Sequence, residues 1–279
     1  MTTIAQVTDL HLVEDDYRER PLSTRARLSY LSFGRPIIPS ERRKRVADAL
    51  AGARAADVDH LLVTGDLTED GALTQFEVLA ELLDESRIPS ERVTIVPGNH
   101  DAYSDGATFE LAMAGPLRAY AETSRTGTAL PLRDVTIVPV STAFHQSVLR
   151  SAGAIAPSEL QTLASIASDR SFAGRPLVFA QHHPPGRHYM PMVHWIDGLV
   201  EHAKLSELFD RCPHLYVVHG HTHRAVDKAV RANEAPRIFS AEAVVESDSP
   251  LRLYRACPAG LSPLAADIFD GVGALALSA

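Results

Sequence analysis

The 279-residue sequence predicts an α/β fold extended by a second, C-terminal β component, and three observations predict it. Five short apolar runs, at residues 4–7, 61–63, 93–96, 177–180 and 215–218, read as buried strands. Stretches with apolar residues at helical spacing separate them. After residue 224 only short strand-like segments remain. Each of the five runs leads directly into polar residues: Asp9-Leu10-His11, Gly65-Asp66, Gly98-Asn99-His100-Asp101, His182-His183, and Gly220-His221-Thr222-His223. Chemistry in α/β sheets collects beyond the carboxyl ends of strands, so all five segments are expected at one edge of one sheet.

The elements follow in order. After the first strand comes an insert at about residues 14–45. Within residues 18–45 it carries nine basic side chains, among them Arg20, Arg27, Arg35 and Arg42, opposed only by Glu19 and Glu41. It reads either as a lid that steers an anion or as a helical hairpin docked through Leu28, Tyr30, Leu31 and Phe33, with Tyr30 and Phe33 assigned to the core. Residues 41–56 form a helix with Val46, Leu50 and Ala53 on one face. A second helix covers 73–83 through Phe76, Leu79, Ala80 and Leu83. Residues 128–132 and 135–141 read as a hairpin around Arg133-Asp134. A third helix opens at Ser158, where Ser158 and Gln161 fit a capping box. A fourth covers about 199–209. Short strands at 225–230, 237–240, 243–246 and 252–255 suggest a second sheet. Residues 260–279 are rich in Ala, Leu and Gly and read as a loosely docked tail. With neither repeat nor linker, residues 1–279 are expected to form one domain.

The ligand types point to a metal site. Carboxylate, imidazole and amide oxygen without thiolate suit Mn²⁺, Fe or Zn²⁺. Glycine recurs where the backbone must turn sharply. Taken in order, Asp-x-His, Gly-Asp, Gly-Asn-His-Asp, His and Gly-His-x-His resemble the motifs of the calcineurin-like metallophosphoesterases, across residues 9–223. The resemblance implies two packed β-sheets flanked by helices, and two metal ions. It implies Asp9, His11, Asp66 and His223 around one ion, and Asp66, Asn99, His182 and His221 around the other. His182 is taken over His183 as the first of the pair before Pro184, with the swap left open. Asp66 would bridge two cations about 3.5–4 Å apart, and a bridging hydroxide would be the nucleophile. His100, which has no assigned metal, is the expected general acid, with Asp101 orienting it.

Departures from neighbouring branches narrow the substrate. Protein Ser/Thr phosphatases carry Asp-Arg-Gly after their Gly-Asp, and this chain has no such Arg. Purple acid phosphatases place Tyr where Glu69 stands. The sequence is closest to small class III phosphodiesterases acting on cyclic nucleotides or glycerophosphodiesters. A phosphomonoesterase or a lipid-precursor pyrophosphate hydrolase is the alternative, and a metal-binding scaffold the non-enzymatic one. Arg187, His194, Trp195 and Arg224 follow assigned ligands and are the candidate substrate contacts, whereas His219, inside an apolar strand, reads as a core residue.

Composition bounds the partners. Hydrophobic content of 45% supports a substantial core. A net charge of −8 argues against a stable nucleic-acid partner, leaving a small anionic phosphoester as the expected one. No apolar stretch approaches the ~20 residues of a membrane span, and no signal peptide is recognised. Cys212 and Cys257 lie in no metal-spaced motif, which fits a reduced cytoplasm, with a disulfide between them as the other option. Oligomerisation is left open.

Overall fold

The computed structural model describes residues 1–264. Two mixed β-sheets stack on each other, with helices on both outer faces. In the first sheet, β1 (Thr2–Val7), β2 (His60–Thr64) and β3 (Val93–Val96) run parallel. The second contains β4 (Leu130–Pro131), β5 (Thr136–Pro139), β6 (Leu177–Ala180), β7 (Leu215–His219), β8 (Val226–Ala229) and β9 (Pro236–Ser240), in the order β4-β5-β6-β7-β9-β8. Its four inner strands are parallel, and β4 and β8 close it as antiparallel edges. The chain then returns to the first sheet: β10 (Arg252–Cys257) pairs antiparallel with β1, and β11 (Gly260–Pro263) with β10. Every residue of β2, β3, β5 and β6 is buried, as strands covered on both faces require.

Three apolar clusters account for the layers. Helices α1 (Leu22–Leu31), α2 (Pro39–Ala55), α3 (Leu73–Ser86) and α4 (Thr108–Ala114) precede the second sheet. Val46, Ala49, Leu50 and Ala53 of α2, with Phe76, Leu79 and Leu83 of α3, pack on the first sheet. Helices α5 (Pro157–Ser168), α6 (Pro191–Asp197) and α7 (His202–Arg211) follow. Leu163 of α5 and Leu205 and Leu208 of α7 cover the second sheet. Ile4, Leu62 and Tyr254 meet Ile137, Val178, Val218 and Phe239 between the sheets. Buried Gln6 ties this middle layer together. Its Nε2 donates to Thr64 Oγ1 (2.8 Å) and His219 O (2.7 Å), and its Oε1 accepts from Tyr254 Oη (2.6 Å). That tie brings the carboxyl ends of β1, β2 and β7 to one place.

Several expectations need correction. The motif-bearing strands do not share one sheet: β1 to β3 lie in the first, and β6 and β7 in the second. The late strands likewise divide between the two sheets rather than forming one of their own. Residues 243–246 form a turn, because Val244 N and Val245 N are taken by Thr8 O and Asp9 O instead of a strand neighbour. The capping box does not form. Pro157 occupies the first turn after Ala156, so Ser158 already lies inside the helix. Residues 191–197, assigned to no element in the sequence, form α6. Of the expected tail, 260–263 are strand β11, and 265–279 lie outside the described residues. Tyr30 and Phe33 are not core residues but stand 52% and 90% exposed. The hairpin around Arg133-Asp134 is present, with Leu132 N bonded to Val135 O. Both cysteines are free thiols. Among the described residues no helix is long and apolar enough to cross a membrane.

Candidate metal centre

The loops after β1 and β2 are zipped together. Asp9 N, His11 N and Leu12 N donate to the carbonyls of Gly65, Asp66 and Leu67 at 2.9–3.0 Å. Holding them so requires left-handed backbone at Asp9, His11 and Asp66, with φ between 48° and 54°. His221 and His223 are left-handed as well. Non-glycine residues rarely adopt this conformation, and such strain concentrates at functional sites. The motif glycines serve close approach more than turning. A methyl group on Gly98 would lie 2.2 Å from Asp66 Oδ1 and 2.4 Å from Asp66 N, and one on Gly220 would lie 2.0 Å from Thr8 Oγ1. Only Gly65 among these three has positive φ, and its bare Cα also makes room for the His182 ring.

Around Asp66 the side chains converge. Asp66 Oδ1 accepts from His100 N at 2.9 Å. Its Oδ2 lies 3.3 Å from His182 Nε2, 3.9 Å from His11 Nε2 and 4.0 Å from His100 Nε2. Asp9 Oδ1 lies 3.3 Å from His223 Nε2, which is 3.4 Å from His11 Nε2. Four triads here offer ligand atoms within 4.8 Å of one another: Asp9-His11-His223, Asp9-Asp66-His182, His11-Asp66-His100 and His182-His183-His221. Asp9 Oδ1, Asn99 Oδ1 and His182 Nε2 are buried without a hydrogen-bond partner. Buried polar groups are normally satisfied, so orphaned atoms on three motif residues fit a set of metal donors.

The outer nitrogens are anchored. His182 Nδ1 donates to Thr64 O at 2.9 Å, which leaves the lone pair on Nε2. His183 uses both nitrogens elsewhere, on Thr142 Oγ1 (2.8 Å) and Ser151 O (2.9 Å). His221 Nε2 lies 2.8 Å from Asp197 Oδ1, and His223 Nδ1 lies 3.2 Å from Glu246 Oε1. Burial pushes the Asp66 carboxyl up, but His182, His100 and His11 outweigh it and hold it well below the carboxylate range. For His182, burial works downward, while Asp66 wins and pushes the imidazole up to about 9. His223 is likewise pushed up to about 9, by Asp9 against burial. His219 fits its core reading: burial brings it down to about 4, and its Nδ1 bonds Gly220 O.

His100 lies at the centre, but Asp101 does not orient it. The fully buried Asp101 carboxylate accepts instead from Gly98 N, Leu67 N, Thr68 N and Thr68 Oγ1, at 2.7–3.1 Å. It therefore ties two motif loops together. His100 is oriented by the Glu69 carbonyl, 2.6 Å from its Nδ1. The insert also departs from a free positive lid. Arg20 and Arg27 pair with buried Asp70, and Arg35 and Arg42 with buried Glu69. Among the candidate substrate contacts, Arg187 and Arg224 are exposed, His194 Nε2 turns to His202 Nδ1 (3.1 Å), and Trp195 is 63% exposed with the Arg150 guanidinium 5.0 Å from its ring centroid. The α6 segment reaches the centre through Asp197, its last residue, which no motif marks in the sequence. Glu246 was hidden inside an assigned strand.

A profile of the calcineurin-like phosphoesterases matches residues 2–225. The chain belongs to this family. It is accordingly a metal-dependent phosphoric ester hydrolase. A probable cyclic nucleotide phosphodiesterase of Rhodopseudomonas palustris is 26% identical over 202 residues, 71% of this chain and 69% of that protein. One from Fibrobacter succinogenes is 26% identical over 98 residues, 35% of this chain and 30% of its own length. The crystal structure of a dimetal phosphatase from Danio rerio superposes with a TM-score of 0.64 at 13% identity, covering 94% of this chain and 98% of that one. That likeness speaks for the fold.

Proposed function

We propose that this chain is a dinuclear phosphoesterase that cleaves a phosphodiester, with Asp66 shared between its cations. Asp9, His11, Asp66 and His223 would hold one ion, and Asp66, Asn99, His182 and His221 the other. The observation that carries the reading is the Asp66 Oδ2 atom, with ring nitrogens of three histidines within 4.0 Å. The occupied nitrogens of His183 favour His182 as the ligand. The donor set suits Mn²⁺, Fe or Zn²⁺. Bound cations there would neutralise phosphate charge and acidify a water molecule to a nucleophile near neutral pH.

The chain's own residues perform the remaining steps. Glu69 O can only accept, so His100 Nδ1 carries a proton and Nε2 faces the Asp66 carboxylate. His100 then protonates a leaving alkoxide from Nε2, as the imidazolium. Asp101 keeps the loops of Asp66 and Asn99 in register. The names of the relatives support a diester substrate, and cyclic nucleotides are the class to screen first.

Metal analysis paired with activity tests the reading. Asp66→Asn should lose at least one metal equivalent and all turnover; two retained metals with normal turnover would refute the dinuclear assignment. His100→Ala should keep its metals and lose about 10²–10⁴-fold in rate on alkyl esters. The loss should be far smaller for nitrophenolate, which needs little protonation. Equal losses on both would assign His100 to positioning.

A further inference from the structure

One arginine of the insert stands at the metal centre itself. Arg35 Nη1 lies 3.3 Å from His11 Nε2, while Nη2 donates to Glu69 Oε1 at 2.8 Å and Leu31 O at 2.9 Å. Its Nε is buried without a partner. Glu69 is gripped from the other side by Arg42, whose Nη1 also donates to His11 O at 2.6 Å. The Arg35 guanidinium is therefore fixed in place by a buried carboxylate, a carbonyl and the chain around His11. Two guanidiniums share one carboxylate here, which leaves a positive charge uncompensated beside the centre.

The nitrogen that Arg35 approaches is the one that faces His223 Nε2 and Asp66 Oδ2. His11 would give that lone pair to a cation held with Asp66 and His223. Arg35 Nη1, on a side chain 14% exposed, would then be a partly buried donor with no acceptor, next to a second positive charge. An unpaired buried donor is costly, and more so when charged. An anionic oxygen placed between guanidinium and cation removes both costs. We propose that Arg35 is a phosphate-binding residue supplied by the insert, donating to a non-bridging phosphate oxygen at the dinuclear centre. It does what no residue after Gly65-Asp66 does in this chain, where Glu69 and Asp70 stand. A fixed guanidinium of this kind favours dianionic phosphate most, so the centre takes monoesters and monoester products as well as diesters. The proposal rests on the two-cation reading above.

The test uses the full chain loaded with Mn²⁺. Calorimetric titration with inorganic phosphate should show affinity about tenfold or more weaker in Arg35→Gln, with metal content unchanged. Arg35→Lys should recover part of it, keeping the charge without the planar fork. The loss in kcat/KM should be larger for nitrophenyl phosphate than for bis(nitrophenyl) phosphate. Unchanged phosphate affinity, or equal losses on both esters, would overturn the proposal. If Arg35→Gln disturbs folding, Arg35→Lys, which keeps a cation for Glu69, carries the test alone, and phosphate affinity equal to that of the unsubstituted protein would overturn the proposal. A metal-loaded unsubstituted protein that hydrolyses neither ester would refute the dinuclear phosphoesterase reading, while the phosphate titrations would still report on Arg35.

Discussion

The residues that β1, β2 and β3 bring to the centre are held by buried charge, whereas those from β6 and β7 are held by carbonyls and half-exposed carboxylates. Behind Asp9, His11 and Asp66 lie Glu69 and Asp70, both fully buried and each bound by two arginines of the insert. Asp101 adds four accepted hydrogen bonds. Opposite them, His182 leans on Thr64 O, His221 on Asp197 and His223 on Glu246, with the two acids 37% and 47% exposed. Buried ion pairs contribute little net stability when complete, but losing one partner is severe. Exposed pairs are worth about 0–1 kcal/mol either way. One half is therefore rigid and intolerant, and the other is adjustable.

The strongest way to break this contrast is Glu69→Ala. It leaves Arg35 and Arg42 facing each other without their carboxylate, at a cost of about 3–5 kcal/mol. For a chain of this size that corresponds to a Tm lower by about 6–20 °C in thermal unfolding of the metal-free protein. A fall of only a degree or two would show that the first half does not depend on its buried charge.

Asp197→Ala is the matching change in the second half, and its effect should appear elsewhere. Removing an orienting partner from a metal-binding histidine typically costs about 10–100-fold in metal affinity. One metal equivalent should weaken by that factor in competition with a chelator, while the Tm of the metal-free protein moves by at most about 4 °C. A large loss of Tm with unchanged metal affinity would invert the comparison.

The same division governs what the sequence made legible. Asp9, His11, Asp66, Asn99, His182, His221 and His223 stood out because each ends an apolar run and each is chemically specific. Local periodicity marks a strand but not its neighbours, so nothing in 177–180 or 215–218 said that these runs build a different sheet from 4–7. The partners of these side chains were hidden for the same reason. Asp70 meets Arg20 and Arg27 across 50 and 43 residues, and His221 meets Asp197 across 24, with no spacing rule to connect them. The basic insert was visible as charge, but its destination was not. Glu69 and Asp70 are two acids beside the site, and arginines of the insert pair with both. Residues 243–246 read as a strand because three of the four are apolar, yet the amides of Val244 and Val245 serve Thr8 and Asp9.

The smallest effect concerns a second glutamate, one that no arginine compensates. Glu159 on α5 accepts from Ser141 N at 3.1 Å, and burial pushes its carboxyl up to about 7, with that bond pulling the other way. Between its ordinary value of 4.5 and about 7 the folded chain keeps a proton that the unfolded chain has released. Stability therefore falls as pH rises through that window. Glutamine can accept the same bond with no charge to desolvate. Glu159 is partly exposed, and screening reduces the gain to ~1 kcal/mol, so Glu159→Gln should melt about 2–4 °C higher at pH 8. At pH 4 both forms are neutral at this position and should melt together. Melting curves across pH 4–8 check this, and a difference that stayed constant with pH would mean that the Glu159 charge carries no burial penalty. Glu69, saturated by two arginines, and Glu159, saturated by none, would then no longer represent opposite ways of burying a carboxylate in one fold.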